Sequence, residues 1–588
     1  MLQRLSPAAL VFAALVVATV GAFFVTTRLK RSTPVIESLT FNRHFSPNGD
    51  GRVDTVVFAV RLRRTDDVTV SIVARDGSRV QTLAENLAVR QGRRYRFRWD
   101  GRTPAGRVAP DGEYHVRVSL RRQGRVVTSG RKVFLDTTPP RPVVGYVGPS
   151  VITPGARGRG RASLRYSGPK RRPELLVYRT DLPKPRLVAR HTAASGSGAL
   201  DWDGRVGLGS ARRSAPTGTY LLAVRARDAA GNLGPAVLPP RRGAVRGHPG
   251  VTVRYLAAQA PERPVRAGTL ASFRVFAAGR RYRWRVHRLG SPRSVARGAS
   301  RSGILRVRSP RGASGIAVLE LRVGSHAYQT PFAVQARKRR RVLVVLPTLT
   351  LQAANPVEEN GDGYPDVLPL NRSVGLHRPF ARDGRPPGFA ATAAISAQLR
   401  ASRFAYDLTT DLAIAREGEA PLRRYDGVLI AGSPRFAPTA LTRSLASYVK
   451  RGGRLGWIGT RGFSRAVDVT GDAIVRGRSD TFLGERVRIE NGPRALVVLG
   501  DRIDFFSGAG GAFGPFPRLE PSLRLPVGAR LLASAGADPN RPDIVVYRFG
   551  RGIVARVGVD GFGLEAGVAE GSNAVARIMP RLWALLSR

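Results

Sequence analysis

A Trp-Asp-Gly triplet, followed after a short loop by a Gly and a Tyr, occurs twice in this chain and constrains its fold more than any other feature. Trp99-Asp100-Gly101 precedes Pro110-Asp111-Gly112-Glu113-Tyr114, and Trp202-Asp203-Gly204 precedes Ala215-Pro216-Thr217-Gly218-Thr219-Tyr220. Repetition of this kind means modules, each with its own core. Around the first copy, apolar and polar residues alternate and are broken by turn signals at Asp76-Gly77, Gln91-Gly92, Gly106 and Asp111-Gly112, the punctuation of a β-sandwich. With 588 residues, 42% of them hydrophobic, the chain is long enough for roughly three to five domains.

The formal charge of +56 is almost all arginine, since Lys30, Lys132, Lys170, Lys184, Lys338 and Lys450 are the only lysines. The arginines alternate with apolar residues along strand-like runs such as FAVRLRRTDDVTVSIVARDG, so they read as solvated strand faces. A nucleic-acid binder gathers its charge on one stripe with stacking aromatics, and aromatic content here is only 7%. No specific nucleic-acid binding is expected; a cell-surface polymer or a protein is the expected partner class. The absence of cysteine excludes disulfides, thiolate metal sites and cysteine nucleophiles.

Ala8 to Val25 is an uncharged apolar run with Arg4 before it and Arg28, Lys30 and Arg31 after it. Its length suits a membrane-spanning helix, with a cleaved signal peptide as the competing reading. An uncleaved single-pass anchor is expected, with the bulk of the chain extracytoplasmic. The expected fold class is therefore multidomain: a transmembrane anchor (1–32), two Ig-like β-sandwiches (33–138 and 139–245), a third β-rich domain (246–337) and a C-terminal α/β domain (338–588). Asp136 to Pro140 reads as a stiff linker between the first two modules. In the last domain, RVLVVLPTL, YDGVLIAGS and GRLGWIGT read as buried strands, while TAAISAQLRASR and TALTRSLASYVKRGG have helical spacing. DIVVYRFGRGIVARVGVD reads as a hairpin turning near Gly550, and NAVARIMPRLWALLS as a closing helix.

Residues 34 to 136 resemble the Ig-like domain of flagellar hook-capping proteins, in which a strand ending in Trp-Asp-Gly is followed by a Pro-x-Gly-x-Tyr strand entry. Residues 338 to 588 resemble the C-terminal domain of the large (beta) subunit of N,N-dimethylformamidase. That protein is an iron-dependent amide hydrolase, and the domain is itself similar to class I glutamine amidotransferases. The resemblance rests on RVLVVLPTLTLQAAN, YDGVLIAGSPRF and GGRLGWIGTRGF. It implies an iron ligand where this chain has Ala354, a second where it has Arg435, and an Asn where it has Arg461. A cation in place of an anionic ligand repels a metal, so iron is not expected. A glutaminase triad is also excluded, for there is no Cys and no His after His377. Thr460 and Ser464 read as turn residues after a strand. A noncatalytic domain used for binding or assembly is expected, with Arg435 and Arg461 as binding residues for a carboxylated or phosphorylated ligand. The rival is an amide hydrolase with relocated residues among Asp407, Tyr425, Asp426 and Glu565.

Two loops share the pattern Asn-Gly-Asp-Gly-x-x-Asp. One carries Asn48, Asp50 and Asp54; the other carries Glu358, Asn360, Asp362 and Asp366. Both resemble the oxygen-rich loops of calcium-binding repeats, and calcium is the one cofactor expected. The same sequence also makes good tight turns without a metal.

Overall fold

The computed structural model describes residues 7–30, 35–193, 198–207, 211–236, 238, 248–478, 482–506, 511–562 and 569–588. The chain is mostly β. The first sandwich packs a three-stranded sheet (Ile36–Thr40, Val56–Leu62, Arg94–Trp99) on a five-stranded one led by Asp66–Ala74 and Gly112–Leu120. Its core holds Phe58, Val70, Trp99 and Val116. The second sandwich repeats the plan with Ala162–Ser167 in the smaller sheet and Arg171–Arg179 and Gly218–Arg227 in the larger.

The repeated motif has a physical explanation in both copies. Trp99 is buried, and its indole N–H donates to Arg102 O at 3.0 Å; the Trp202 N–H donates to Arg205 O at 2.9 Å. Tyr114 and Tyr220 pack on those rings at 5.1 and 5.0 Å, and their hydroxyls donate to Pro110 O at 2.6 Å and Pro216 O at 2.8 Å. The Asp carboxylates close the turn by accepting from Arg102 N and Arg205 N. Each Gly adopts a positive φ, 77° and 71°, and a Cβ there would lie 2.8 Å from a proline ring, Pro47 or Pro154. Large aromatics are thus buried with every polar atom matched.

Gly250–Val253 pairs antiparallel with Gly218–Arg227 and parallel with Val151–Ile152. It completes the second sandwich, although the expected boundary at 246 assigned it to the third region. The third sandwich joins Leu270–Phe276 and Ile304–Arg308 to a sheet containing Tyr282–Arg288, Gly315–Val323 and His326–Gln335. It does not stand apart from the C-terminal domain. Ile316 and Ala333 belong to the same core cluster as Val344, Leu408 and Leu429 of the C-terminal sheet.

That last sheet has ten strands. Five run parallel in the order Asp407–Thr410, Val342–Leu346, Gly427–Ala431, Arg454–Ile458, Gly552–Val557. Five more extend it with antiparallel pairing: Pro542–Phe549, Arg530–Ala535, Glu490–Val498, Ala512–Leu519 and Val559–Asp560. The helix Thr439–Lys450 covers one face through Leu441, Leu445, Tyr448 and Val449, and Gly452 follows it with φ 114°. Phe389–Ala401 buries Ile395 and Leu399. The hairpin turns at Gly550, with Phe549 opposite Gly552.

One expectation is overturned. The apolar N-terminal run lies in a helix, Pro7–Lys30, yet among the described residues no helix is long and apolar enough to cross a membrane. The single-pass anchor is therefore corrected, and with it the extracytoplasmic placement that relied on it.

Candidate functional site

Backbone leaving the carboxyl ends of Gly427–Ala431 and Arg454–Ile458 makes two sharp turns, and these carry the residues singled out from sequence. After the first come Gly432, Ser433, Pro434 and Arg435; after the second, Gly459, Thr460 and Arg461. Gly459 has φ 130°, and a Cβ on it would meet Ser433 at 3.1 to 3.3 Å, so the turns can touch only because it is Gly. Arg461 holds a left-handed backbone at φ 61° while its N–H donates to Glu520 Oε1 at 2.7 Å.

Arg435 is half-buried, with its guanidinium 5.0 Å from the Phe436 ring. Burial lowers its pKa, and so do the neighbouring cations Arg461, Arg465 and Arg518. The two predicted binding residues therefore come together. Two further arginines join them that the sequence reading missed. Arg465 was within reach of sequence, since it starts the strand Arg465–Thr470 that pairs in parallel with Phe436–Pro438. Arg518 arrives from a distant strand and had no local signal. Arg435, Arg465 and Arg476 line a cleft of about 200 Å³ with Leu368, Phe436 and Val467. Arg518 is bound to Asp560 at 2.5 Å and Arg476 donates to Leu368 O and Pro369 O. Among the described residues, the guanidinium groups of Arg435, Arg461 and Arg465 form no ion pair.

Beneath the cluster lies a buried polar layer. Glu520 is 1% exposed, and burial pushes its pKa up to about 7. Arg556 is equally buried; it donates to Glu485 Oε1 at 2.7 Å and to Glu520 O at 2.6 Å.

The hydrolytic residues are not rebuilt here. Thr460 donates its hydroxyl to Asp560 at 2.7 Å and is buried, Ser433 donates to Thr460 O, and Ser464 is exposed. Ala354 caps the helix Thr348–Ala353 and offers no donor atom, while its neighbours keep a structural role: Asn355 accepts from Ala381 N and donates to Pro379 O. An iron ion does not fit this set, because one position lacks a ligand and the other lies within a cluster of cations. The rival cluster lies at the opposite ends of the strands. Asp407 begins its strand and accepts from the Tyr425 hydroxyl at 3.0 Å, while Asp426 precedes Gly427 and pairs with Arg341. Ligand crevices in open parallel sheets form at the carboxyl ends. Glu565 and the glycine-rich stretch at 507–510 lie outside the described residues.

The two acidic loops are held by their own hydrogen bonds. Asp366 accepts from Glu359 N at 2.7 Å, Asn360 N at 3.2 Å, Asn360 Nδ2 at 2.8 Å and Asn371 Nδ2 at 2.6 Å. Glu358 accepts from Gly361 N, and Asn360 Oδ1 accepts from Asp362 N. Asp54 accepts from Gly49 N and Gly51 N, and Asn48 Oδ1 accepts from Asp50 N. Among the described residues no group of three or more His, Cys, Asp or Glu side chains is placed to hold a metal ion.

Comparison with known proteins agrees with both resemblances. Residues 302–491 match the family model described as N,N-dimethylformamidase beta subunit-like, C-terminal, and residues 50–124 match the FlgD Ig-like domain. The first match begins within the third sandwich, consistent with the core it shares with the C-terminal sheet. No curated protein matches the chain. Among solved structures it is similar to a beta-galactosidase from Rahnella sp. R3, at 14% identity and a TM-score of 0.27 over 42% of this chain and 31% of that one. The chain thus spans under a third of that enzyme's length. Fibronectin(III)-like modules of CbhA from Clostridium thermocellum match at 14% identity and TM-score 0.17, over 34% of this chain and 88% of theirs. The ligand-binding domain of human OSCAR matches at 19% identity and TM-score 0.17, over 31% and 86%. Scores this low do not establish a shared fold.

Proposed function

We propose that this chain is a noncatalytic binding protein, in which Ig-like modules carry a degenerate N,N-dimethylformamidase-like, amidotransferase-like α/β domain with an anion site at its strand ends. The observation that carries the reading is the meeting of Arg435, Arg461, Arg465 and Arg518 at that end of the sheet, close enough to depress the Arg435 pKa. Arg435, Arg461 and Arg465, which form no ion pair among the described residues, are costly to hold together beside Arg518, and an anion with several oxygens relieves that cost through paired N–H···O contacts. Carboxylated or phosphorylated ligands fit this chemistry.

The test is calorimetric titration of the full chain with inorganic phosphate and with citrate, beside Arg435→Ala and Arg461→Ala. Saturable binding lost in both variants is expected; binding that survives both sinks the reading. The hydrolase alternative is tested on the same protein, by iron content and by turnover of formamides and glutamine. Stoichiometric iron with turnover that vanishes on chelation would promote it. Calcium at Glu358, Asn360, Asp362 and Asp366 is a further proposal, supported by the oxygen-rich pattern of the loop and by the effect of Asp366 and Asp362 on Glu358. The first loop, with Asn48, Asp50 and Asp54, has less to support it.

A further inference from the structure

We propose that the cavity between the third sandwich and the C-terminal sheet is a binding site for a small uncharged apolar molecule of about benzene size. It is separate from the arginine cluster and does not depend on an anion binding there. The cavity has a volume of about 110 Å³. Ile316 and Phe332 of the third sandwich form one wall, and Leu346, Leu351, Phe380 and Phe389 of the C-terminal domain form the other.

Its position is that of a ligand site. Leu346 ends the strand Val342–Leu346, whose neighbours are Asp407–Thr410 on one side and Gly427–Ala431 on the other. The chain visits the first neighbour before crossing back to the second, so the strand order reverses there, which is where open α/β sheets leave a crevice. The third sandwich roofs that crevice.

Size sets the ligand class. A single water needs about 10–15 Å³ measured in this way, and a cavity of about 150 Å³ lined by Leu, Ile and Phe stays dry and takes benzene or xenon. The chemistry of the wall points the same way. Two polar groups along it are matched within the protein, Thr348 donating to Asp411 at 2.6 Å and Gln352 Nε2 to Arg378 O at 2.8 Å, while Thr330 Oγ1 and Arg378 Nε have no partner but are buried and offer almost no surface to the space. Its charged lining residues are paired, Glu262 with Arg416 and, at 3.8 Å, His377, and Arg378 with Glu359 at 3.4 Å, so no unpaired charge calls for a charged ligand. Apolar walls facing an empty space forfeit dispersion contacts, which an apolar guest restores.

Binding to the native state alone raises the unfolding midpoint. Benzene at millimolar concentration is therefore expected to raise the midpoint of the full chain by about 2 °C. Ala333, which lines the cavity and is 7% exposed, gives the control: Ala333→Leu fills the space and should abolish the shift. Should that variant fail to fold, Phe389→Ala serves instead, because truncating a half-buried ring at the edge should admit naphthalene, which the parent protein excludes. Xenon-129 NMR on the parent protein reads occupancy directly. A benzene shift that persists in folded Ala333→Leu, naphthalene acting equally on parent and Phe389→Ala, or the absence of any benzene and xenon effect would each overturn the proposal.

Discussion

The loop around Asp50 and the loop around Asp362 have the same pattern and the same internal wiring, yet the molecule uses them differently. In each, the first Asn accepts from the N–H two residues on, the middle Asp does the same, and the final Asp gathers backbone donors from the loop's start. Gly49 and Gly51 face open space, and their φ of 75° is all that glycine is needed for. Gly361 and Gly363 have nearly the same φ, 81°, but a Cβ on them would lie 2.8 Å from His248 Nδ1 and from Leu221 Cβ. The second loop is pressed into the second sandwich: Gly250 N donates to Gly361 O at 2.8 Å and Thr180 Oγ1 to Gly363 O at 2.6 Å. The first loop meets that sandwich only lightly, through Asn48 to Asn232 at 3.1 Å and Asp50 to Arg227 at 3.6 Å. A turn motif dictates its own shape and says nothing about what will lie against it.

The largest effect should come from adding one methyl group to each loop. Gly363→Ala combines left-handed backbone strain with a clash in the joint and should cost about 4 kcal/mol, while Gly51→Ala carries the strain alone, about 1 kcal/mol. Equal midpoints in urea for the two variants would erase the distinction.

Next comes pH. Burial pushes Glu358 up to about 7, assisted by Asp366 and Asp362, and burial holds Asp411 and Glu520 at about 7 as well. A carboxyl raised in the folded state binds more protons there than in the unfolded chain. Stability of this part of the molecule should therefore fall as pH rises from about 4.5 to about 7, by about 3 kcal/mol from Glu358 alone. Glu113 in the first sandwich is lowered, chiefly by its hydrogen bond from Lys132, so its contribution is kept above the ordinary carboxyl range and lost on acidification. Calorimetry at pH 5 and pH 8 should show the C-terminal transition moving down while that of the first sandwich does not. Parallel movement would contradict the contrast, and Glu358→Gln should flatten the C-terminal response.

A smaller change is expected from Thr180→Val, which leaves the Gly363 carbonyl without its buried donor at a cost of about 1.5 kcal/mol. Asn48→Ala, its counterpart at the exposed loop, should cost under about 0.5 kcal/mol. The smallest effect is calcium. At millimolar concentration it should raise the midpoint by about 1 °C, with the shift lost in Asp362→Ala and kept in Asp50→Ala. The reverse pattern would move the ion to the first loop.

Features encoded within a few residues were legible. The Trp-Asp-Gly turns, the hairpin at Gly550 and the helix ending before Gly452 all satisfy their hydrogen bonds locally, so their signals survive in the sequence. Arg435 and Arg461 could be paired because each directly follows a buried strand. What failed to show is what depends on distant partners. Arg518 and Glu520 reach the site from the strand Ala512–Leu519 and the residue after it, on the antiparallel side of the sheet, and the core shared by Ile316 and Val344 hides the seam between two expected domains. Gly250–Val253 looked like the start of a new region and instead closes the second sandwich, because strand exchange across a long connection leaves no local mark. The apolar N-terminal run gave a composition signal alone, and among the described residues no helix is both long and apolar enough to cross a membrane.

The seat of the loop around Asp362 on the second sandwich also governs how the molecule bears load. The second sandwich grips a segment that lies beyond the third in the chain, and the third shares its core with the C-terminal sheet, so these three units close into a ring, not a string. A tether pulling from the amino-terminal side loads the first sandwich and then the Asp136–Pro140 linker. Beyond it, tension divides between two routes, the covalent path through the third sandwich and the shortcut through Gly250 and Gly361. Neither route can lengthen until the other yields. Under force the first sandwich should extend as a separate bead, and the remainder should give way in one step, with Gly363→Ala turning that step into two.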